Sequence, residues 1–385
     1  MFNFSALPFY DNHTHALDMK KSSYTPLEFS INYLHGARDV SPSKEGEEFG
    51  VSEELEKTIS QLGVVKTMVC HLSHFFDCPA TLQAVTEARN VHLQKTDCLG
   101  YAKELYADCN VQGCTVDQGW PIGDEQEKMF PGRVQRLYQM DPLFDHLMDS
   151  CEDYASLKEQ YIRAVAKAAR EGFKGIKCHV GERFSFAVKL VSDKDAEASY
   201  ASALIGDEKA LANVYFAIMR ITMQLCQQFD IPLHIHTGNT GNSGNGRIGD
   251  CNPLLMCPYL NHPEFRTTKV VFLHASYPNI RYAALMTHMY PNVWMDISWT
   301  LPWAALDFPQ ILKAVLGVAP HNKVMLGTGQ HGIPEMVWIA AKVAKKSLEV
   351  VMEEYVNYGF LTQEQAQETA EQVLYKNAFR LYGMD

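Results

Sequence analysis

The chain has 385 residues, is 46% hydrophobic and carries a formal charge of −11 at pH 7. That apolar content is enough for one large α/β domain or two smaller ones, and the acidic balance lacks the positive footprint that a phosphate backbone demands, so nucleic acid is excluded as a partner. The ten cysteines form no CxxC pair, no window reaches about 18 uninterrupted apolar residues, and no basic stretch leads into an apolar leader; these features point to reduced thiols in a cytoplasmic protein without a membrane span.

In chain order, short apolar runs alternate with helical periodicity, the pattern of a parallel sheet. Eight strands are expected, at residues 7–13, 111–117, 133–140, 173–180, 231–237, 269–275, 292–298 and 323–329. Eight is the number that closes a (β/α)₈ TIM barrel. The run VVKTMVCHLSHFF at 64–76 is apolar enough for a ninth strand but longer than a typical one, so it reads as helix. Residues 25–110 are therefore expected to form a helical insertion after the first strand, covering one end of the barrel near the site. A second excursion, about 184–207, reads as surface. The helix expected over 207–229 places Leu211, Val214, Ile218, Ile221 and Leu225 at spacings of three and four. Thr362 and Gln365 form a capping box for a terminal helix. With no repeat or linker, one domain over 1–385 is the simplest organisation.

Barrel enzymes build their sites at the C-terminal ends of the strands, so the position of a polar residue within its strand carries its meaning. His13 and His15 close the first strand, His236 the fifth and His274 the sixth. Neutral imidazole ligates zinc and similar divalent ions, and a catalytic site commonly keeps three protein ligands and one open position. A His-x-His pair also arises by chance in a chain with fifteen histidines; what raises its meaning is the order of pair, single and single, each at a strand end. His234, one layer below His236, reads as a packed core residue.

The motifs DNHTH, VDQGWP, FKGIKCH, IPLHIHTG, VVFLHASYPNI, NVWMDISW and GIPE, in this order, resemble those of the amidohydrolase superfamily. The likeness is greatest to the branch holding amidohydrolase-related decarboxylases and lactonases, uronate isomerase-like proteins and the amidohydrolase domain fused to glutamine synthetase-like proteins. The resemblance implies one divalent metal ion, zinc by preference, held by His13, His15 and His236, with His274 beside the reacting groups. It also implies an aspartate at the end of strand eight, where this chain has Gly329 in GTGQHGIPE. Glycine can neither ligate through a side chain nor accept a proton. Gln330 or His331 turning inward, or Asp296 approaching from strand seven, would compensate, and an aspartate introduced at 329 would be expected to tighten metal binding.

Lys177, at the end of strand four, admits three roles: a carboxylated lysine bridging two metals, an ammonium on a substrate carboxylate, or a structural ion pair. Arg136, Arg183 and Arg247 lie near strand ends, where a guanidinium can hold a carboxylate bidentately. Of these, Arg183 and Arg247 are kept as substrate-binding candidates with Lys177, Gln330 and His331. The glycine-rich stretch at 237–250 lacks the P-loop lysine and reads as an active-site loop. The expected partner is a small anionic substrate, with homo-oligomerisation left open. The first functional expectation is hydrolysis, at an amide C–N bond. The alternatives are a metal-dependent decarboxylase, lyase or isomerase on the same site, and a non-catalytic ligand-binding relative.

Overall fold

The computed structural model describes residues 1–17, 22–33, 53–117, 132–238, 249–329 and 332–384, with side chains from 57 onward in the third of these segments. Its centre is one eight-stranded parallel sheet in sequence order: β1 (Phe9–His15), β2 (Val111–Asp117), β3 (Arg133–Gln139), β4 (Gly175–Cys178), β5 (Leu233–His236), β6 (Val270–Leu273), β7 (Val293–Asp296) and β8 (Val324–Met325). The seam between the last and first strands is drawn together by the Asn12 amide donating to Leu326 O at 2.9 Å and the Thr328 amide to His13 O at 3.1 Å. The result is a nearly closed (β/α)₈ barrel. All eight expected strands are present. β4 to β8 are shorter than their apolar runs, although single backbone hydrogen bonds extend the pairing beyond them, as from the Lys174 amide to Arg136 O and from the Ile297 amide to Met325 O, both at 2.9 Å.

Among the described residues, the segment after β1 is mainly helical: Pro26–Ile31, Glu53–Ser60, Gly63–Phe76, Leu82–Leu93 and Cys98–Asp108. Residues 64–76 are thus helix, as their length implies. The first of these helices opens with a capping box, in which the Glu28 amide donates to Thr25 Oγ1 at 3.2 Å and the Thr25 amide to Glu28 Oε2 at 2.7 Å. Met68, Leu72, Tyr101 and Leu105 are fully buried and share one apolar core with Trp338 on helix Pro334–Asn357. Among the described residues, the insertion packs on the barrel's flank and reaches the site end where Trp303 Nε1 donates to Tyr33 O at 2.8 Å and where Gly63 lies against Leu306.

Helix Glu208–Phe229 starts one residue inside the expected range because Asp207 is its cap, accepting from the Lys209 and Ala210 amides. The preceding stretch is more than a surface excursion. Helix Asp193–Leu204, capped by Ser192, buries Ala196, Tyr200 and Ala203 in the same core as Val214 and Ile218. At the opposite end of the barrel the C-terminal helix Asn377–Tyr382 sends the Tyr382 ring inside, where it stacks on His234 at 6.1 Å and 9° and its hydroxyl donates to Asn12 Oδ1 at 2.8 Å. Burial drives the His234 pKa down to about 3, so this ring is a neutral part of the core. Among the described residues, no helix is long and apolar enough to cross a membrane.

Candidate metal and active site

β1 carries a register irregularity between Asp11 and Thr14: Asp11 lies opposite Cys114 and Thr14 opposite Val116. Such bulges re-aim side chains next to sites. Here the His13 and His15 rings stand 4.9 Å apart at the C-terminal mouth, while Asp11 turns to Thr328, accepting from its amide at 2.8 Å and its hydroxyl at 2.7 Å. The last residue of β2, Asp117, faces His15 across the ladder. One ligand atom from each of His13, His15 and Asp117 lies within 4.8 Å of the other two. Gln139 at the end of β3 donates to Asp117 Oδ1. Lys177 on β4 brings its Nζ to 3.6 Å from Asp117 Oδ2.

Both ring nitrogens of His13, Asp117 Oδ2 and Lys177 Nζ are buried without a hydrogen-bond partner. Unsatisfied buried polar atoms are costly, and a cluster of them marks a place where a ligand completes the bonding. Burial first, then the neighbouring Lys177 and His15, hold the His13 pKa well below the ordinary imidazole value. A neutral imidazole is the form that ligates. Two imidazoles and a carboxylate are a donor set that suits a divalent ion, and the residues present fit one.

His236 falls elsewhere than expected. Its Nε2 lies 3.3 Å from Glu182 Oε1, and it groups with Glu182 and His179 as a second set of potential donors. His179 is oriented from behind: Asp141 Oδ2 lies 3.0 Å from its Nδ1 and accepts its amide at 2.9 Å, while Asp141 Oδ1 accepts from Tyr215 Oη at 2.6 Å. Burial pushes the Asp141 pKa up, but the His179 and Tyr215 hydrogen bonds and Arg183 outweigh it, and the net shift is downward. A carboxylate with a depressed folded pKa contributes stability above its unfolded value and loses it as the pH falls through the folded one. Asp141→Asn should therefore flatten the loss of stability below about pH 4, measured by urea unfolding at pH 7 and pH 3; an acid limb as steep as that of the parent would remove Asp141 from the linkage.

His274 joins the two sets, its ring centroid 5.2 Å from that of His13 and 4.4 Å from that of His236. Burial first, then His236 and Lys177, keep it neutral, and Ser298 Oγ lies 2.9 Å from its Nδ1, which orients the ring. Asp296, the other residue expected to take part in catalysis, lies below, accepting from Asn12 Nδ2 at 2.8 Å and from the Ser298 amide at 2.8 Å. Burial raises its pKa to about 6 against those hydrogen bonds.

Two expectations are corrected here. Arg183 is not turned to a substrate: its two terminal nitrogens hold Asp145 at 2.8 and 2.6 Å, and its guanidinium lies over the Tyr215 ring. Position 329 is not an open coordination slot. Gly329 has φ +60, and a Cβ there would lie 2.8 Å from Trp299 N and 2.9 Å from Trp299 Cβ. No aspartate fits without moving that backbone. Even Gly329→Ala should cost about 1–3 kcal/mol and shift the emission of Trp299, read by denaturant unfolding and steady-state fluorescence; a variant of parental stability and spectrum would show that the contact relaxes freely. Arg247, Gln330 and His331 lie outside the described residues.

Asp117, His179, Glu182 and Trp299 were not singled out from the sequence. Asp117 had a usable signal, as the last residue of an expected strand; His179 and Glu182 lie past the end of theirs, and Trp299 had none.

The fold and the site define a parallel (β/α)₈ barrel with imidazole and carboxylate donors gathered at its C-terminal mouth. Residues 147–384 match the amidohydrolase family, and the chain belongs to it. It is 30% identical over 237 residues to protein fluG of Emericella nidulans, a match covering 58% of this chain and 26% of that protein, so the chain spans about a quarter of the length of this curated relative. The fold is shared with a protein of Lactobacillus casei ATCC 334 provisionally assigned as a metal-dependent hydrolase (TM-score 0.82, 17% identity, covering 100% of this chain and 98% of that one). It is also shared with the glucuronate isomerase of Caulobacter crescentus (TM-score 0.68, 14% identity, covering 99% and 92%).

Proposed function

We propose that the chain is a metal-dependent hydrolase that cleaves an amide C–N bond in a small carboxylate-bearing substrate. The observation that carries this reading is the cluster of unsatisfied buried atoms on His13, Asp117 and Lys177 at the C-terminal mouth of the barrel. His13, His15 and Asp117 would hold one divalent ion, zinc by preference. Such an ion supplies Lewis acidity and lowers the pKa of water. Lys177 balances the Asp117 charge and offers an ammonium, otherwise without a hydrogen-bond partner, to the substrate carboxylate. Neutral His274, oriented by Ser298, takes up a proton from the attacking water and returns it to the leaving nitrogen. Asp296 holds the Ser298 amide and so positions that pair.

The test is metal analysis of protein purified without chelator, beside a variant with His13 and His15 both changed to alanine, followed by assay of N-acyl amino acids with and without chelator. Absence of metal from the parent protein, or amide cleavage indifferent to chelator, would end the proposal. A second reading, a lyase or isomerase on the same site, is favoured by one observation. Among the described residues, the end of β8 supplies no carboxylate to receive a proton, and the Trp299 backbone fills the space beside Gly329. Isotopically labelled water separates the two, since hydrolysis alone puts its oxygen into the product acid.

A further inference from the structure

The residues after β7 do something that neither metal binding nor proton transfer requires. Trp299 has φ 62 and ψ −54, and the Thr300 amide donates back to Ser298 O at 2.6 Å. This is a γ-turn of the rare, strained kind, built on a bulky residue. Strain of that sort persists only where surrounding contacts over-determine it, and it concentrates at ligand clamps. Two contacts do so here: the Trp299 amide donates to Thr328 O at 2.9 Å, and Gly329 lets the turn approach closer than any side chain would allow. The strain aims the indole at the site. Its ring lies 5.2 Å from His236, 5.0 Å from His274 and 5.1 Å from Trp303, each pair strongly tilted or edge-on.

Beside this wall runs a cleft of about 310 Å³ that starts at His274, passes Trp299 and Trp303, and ends at Leu306 and Asp307 against Gly63 of the insertion. Trp303 spends its N–H on Tyr33 O, so the indole meets the cleft as an apolar surface. Leu306 is 73% exposed at the lip, an apolar side chain with little of its own to pack on. Aromatic walls with few polar groups favour planar apolar ligands through offset or edge contacts. Among the described residues the one carboxylate in the lining is Asp307, at the outer end, where it disfavours a second anionic group.

We infer that this cleft is the specificity subsite for a planar aromatic group, so that the substrate is an aryl-bearing monocarboxylate whose carboxylate faces Lys177 and whose far end is uncharged or cationic. This rests on the proposed function for the carboxylate end, while the cleft itself is read independently of any metal.

The test uses binding of three monocarboxylates, benzoate, cyclohexanecarboxylate and acetate, followed by tryptophan fluorescence and calorimetry in the metal-loaded protein and again after chelation. Benzoate should bind at least about tenfold more tightly than acetate, since it adds both buried area and aromatic contacts, and several-fold more tightly than cyclohexanecarboxylate, which lacks the aromatic edge and stacking contacts. Terephthalate, with a second carboxylate at the Asp307 end, should bind more weakly than benzoate, and Asp307→Asn should narrow that gap. Trp303→Ala should collapse the benzoate advantage to under about threefold; Leu306→Asp, at an exposed position that leaves the fold intact, should reduce it in the same direction if the first variant fails to fold. Equal binding of benzoate and acetate, or an advantage that survives both variants, overturns the subsite. A benzoate preference that persists in a protein binding no metal upholds the subsite while the hydrolase reading falls; metal-dependent amide cleavage without any aryl preference does the reverse.

Discussion

Replacing Asp117 with asparagine should raise the dissociation constant for zinc by at least about a hundredfold, the upper range seen even for residues one shell removed from a metal, while His236→Ala should keep the affinity within about tenfold. The reason is geometric. His13, His15 and Asp117 place one ligand atom each in a single cluster, whereas His236 is turned to Glu182. An amide oxygen at 117 retains the shape and the Gln139 neighbour but gives up the charge that offsets the ion. Competition titration against a chromogenic chelator, with circular dichroism to confirm folding, reads both variants. The opposite ranking would restore the ligand set that the family resemblance implied, with His236 bound to the ion and Asp117 apart from it.

Arg89→Ala should destabilise the protein by about 3–5 kcal/mol, the cost of leaving a buried charge without its partner. Arg89 on the insertion and Glu335 at the start of helix Pro334–Asn357 are both buried, their Nε and Oε1 in direct contact, and the guanidinium lies 4.7 Å from the Tyr24 ring centroid and 5.3 Å from that of Phe29. Removal of the arginine strands the carboxylate and also the aromatic faces packed on the guanidinium. Arg89→Met combined with Glu335→Leu should recover most of the loss, since a buried ion pair replaced by apolar residues of similar volume is close to neutral. Urea unfolding of the single and double variants checks this. A single variant within about 1 kcal/mol of the parent would mean that water reaches the pair and that the insertion is not anchored through it.

Glu335 shows how far a motif carries. In the sequence it belongs to GIPE, a fragment with weak meaning by itself; in the fold it is the inward end of the contact that ties the insertion to helix Pro334–Asn357, which follows β8. Arg183 moved the other way, from a candidate for substrate to the partner of Asp145, because helix Met140–Ser150 presents that carboxylate first. Neither outcome could be read from position along a strand.

What the sequence by itself determined were the features set by local periodicity: eight strands in order, the helical character of 64–76, the capping box at Thr362, and the arrival of His13, His15, His236 and His274 at strand ends. Each depends on side chains a few residues apart, whose facing follows from a fixed repeat. What only the tertiary structure decided is which of these groups meet. The bulge in β1, the pairing of β1 with β2 that brings Asp117 to His15, and the γ-turn that puts Trp299 against Gly329 all join residues from different strands. Their distances are governed by barrel register and closure, which no short stretch of chain encodes, and a shift of one residue in either would dissolve the site.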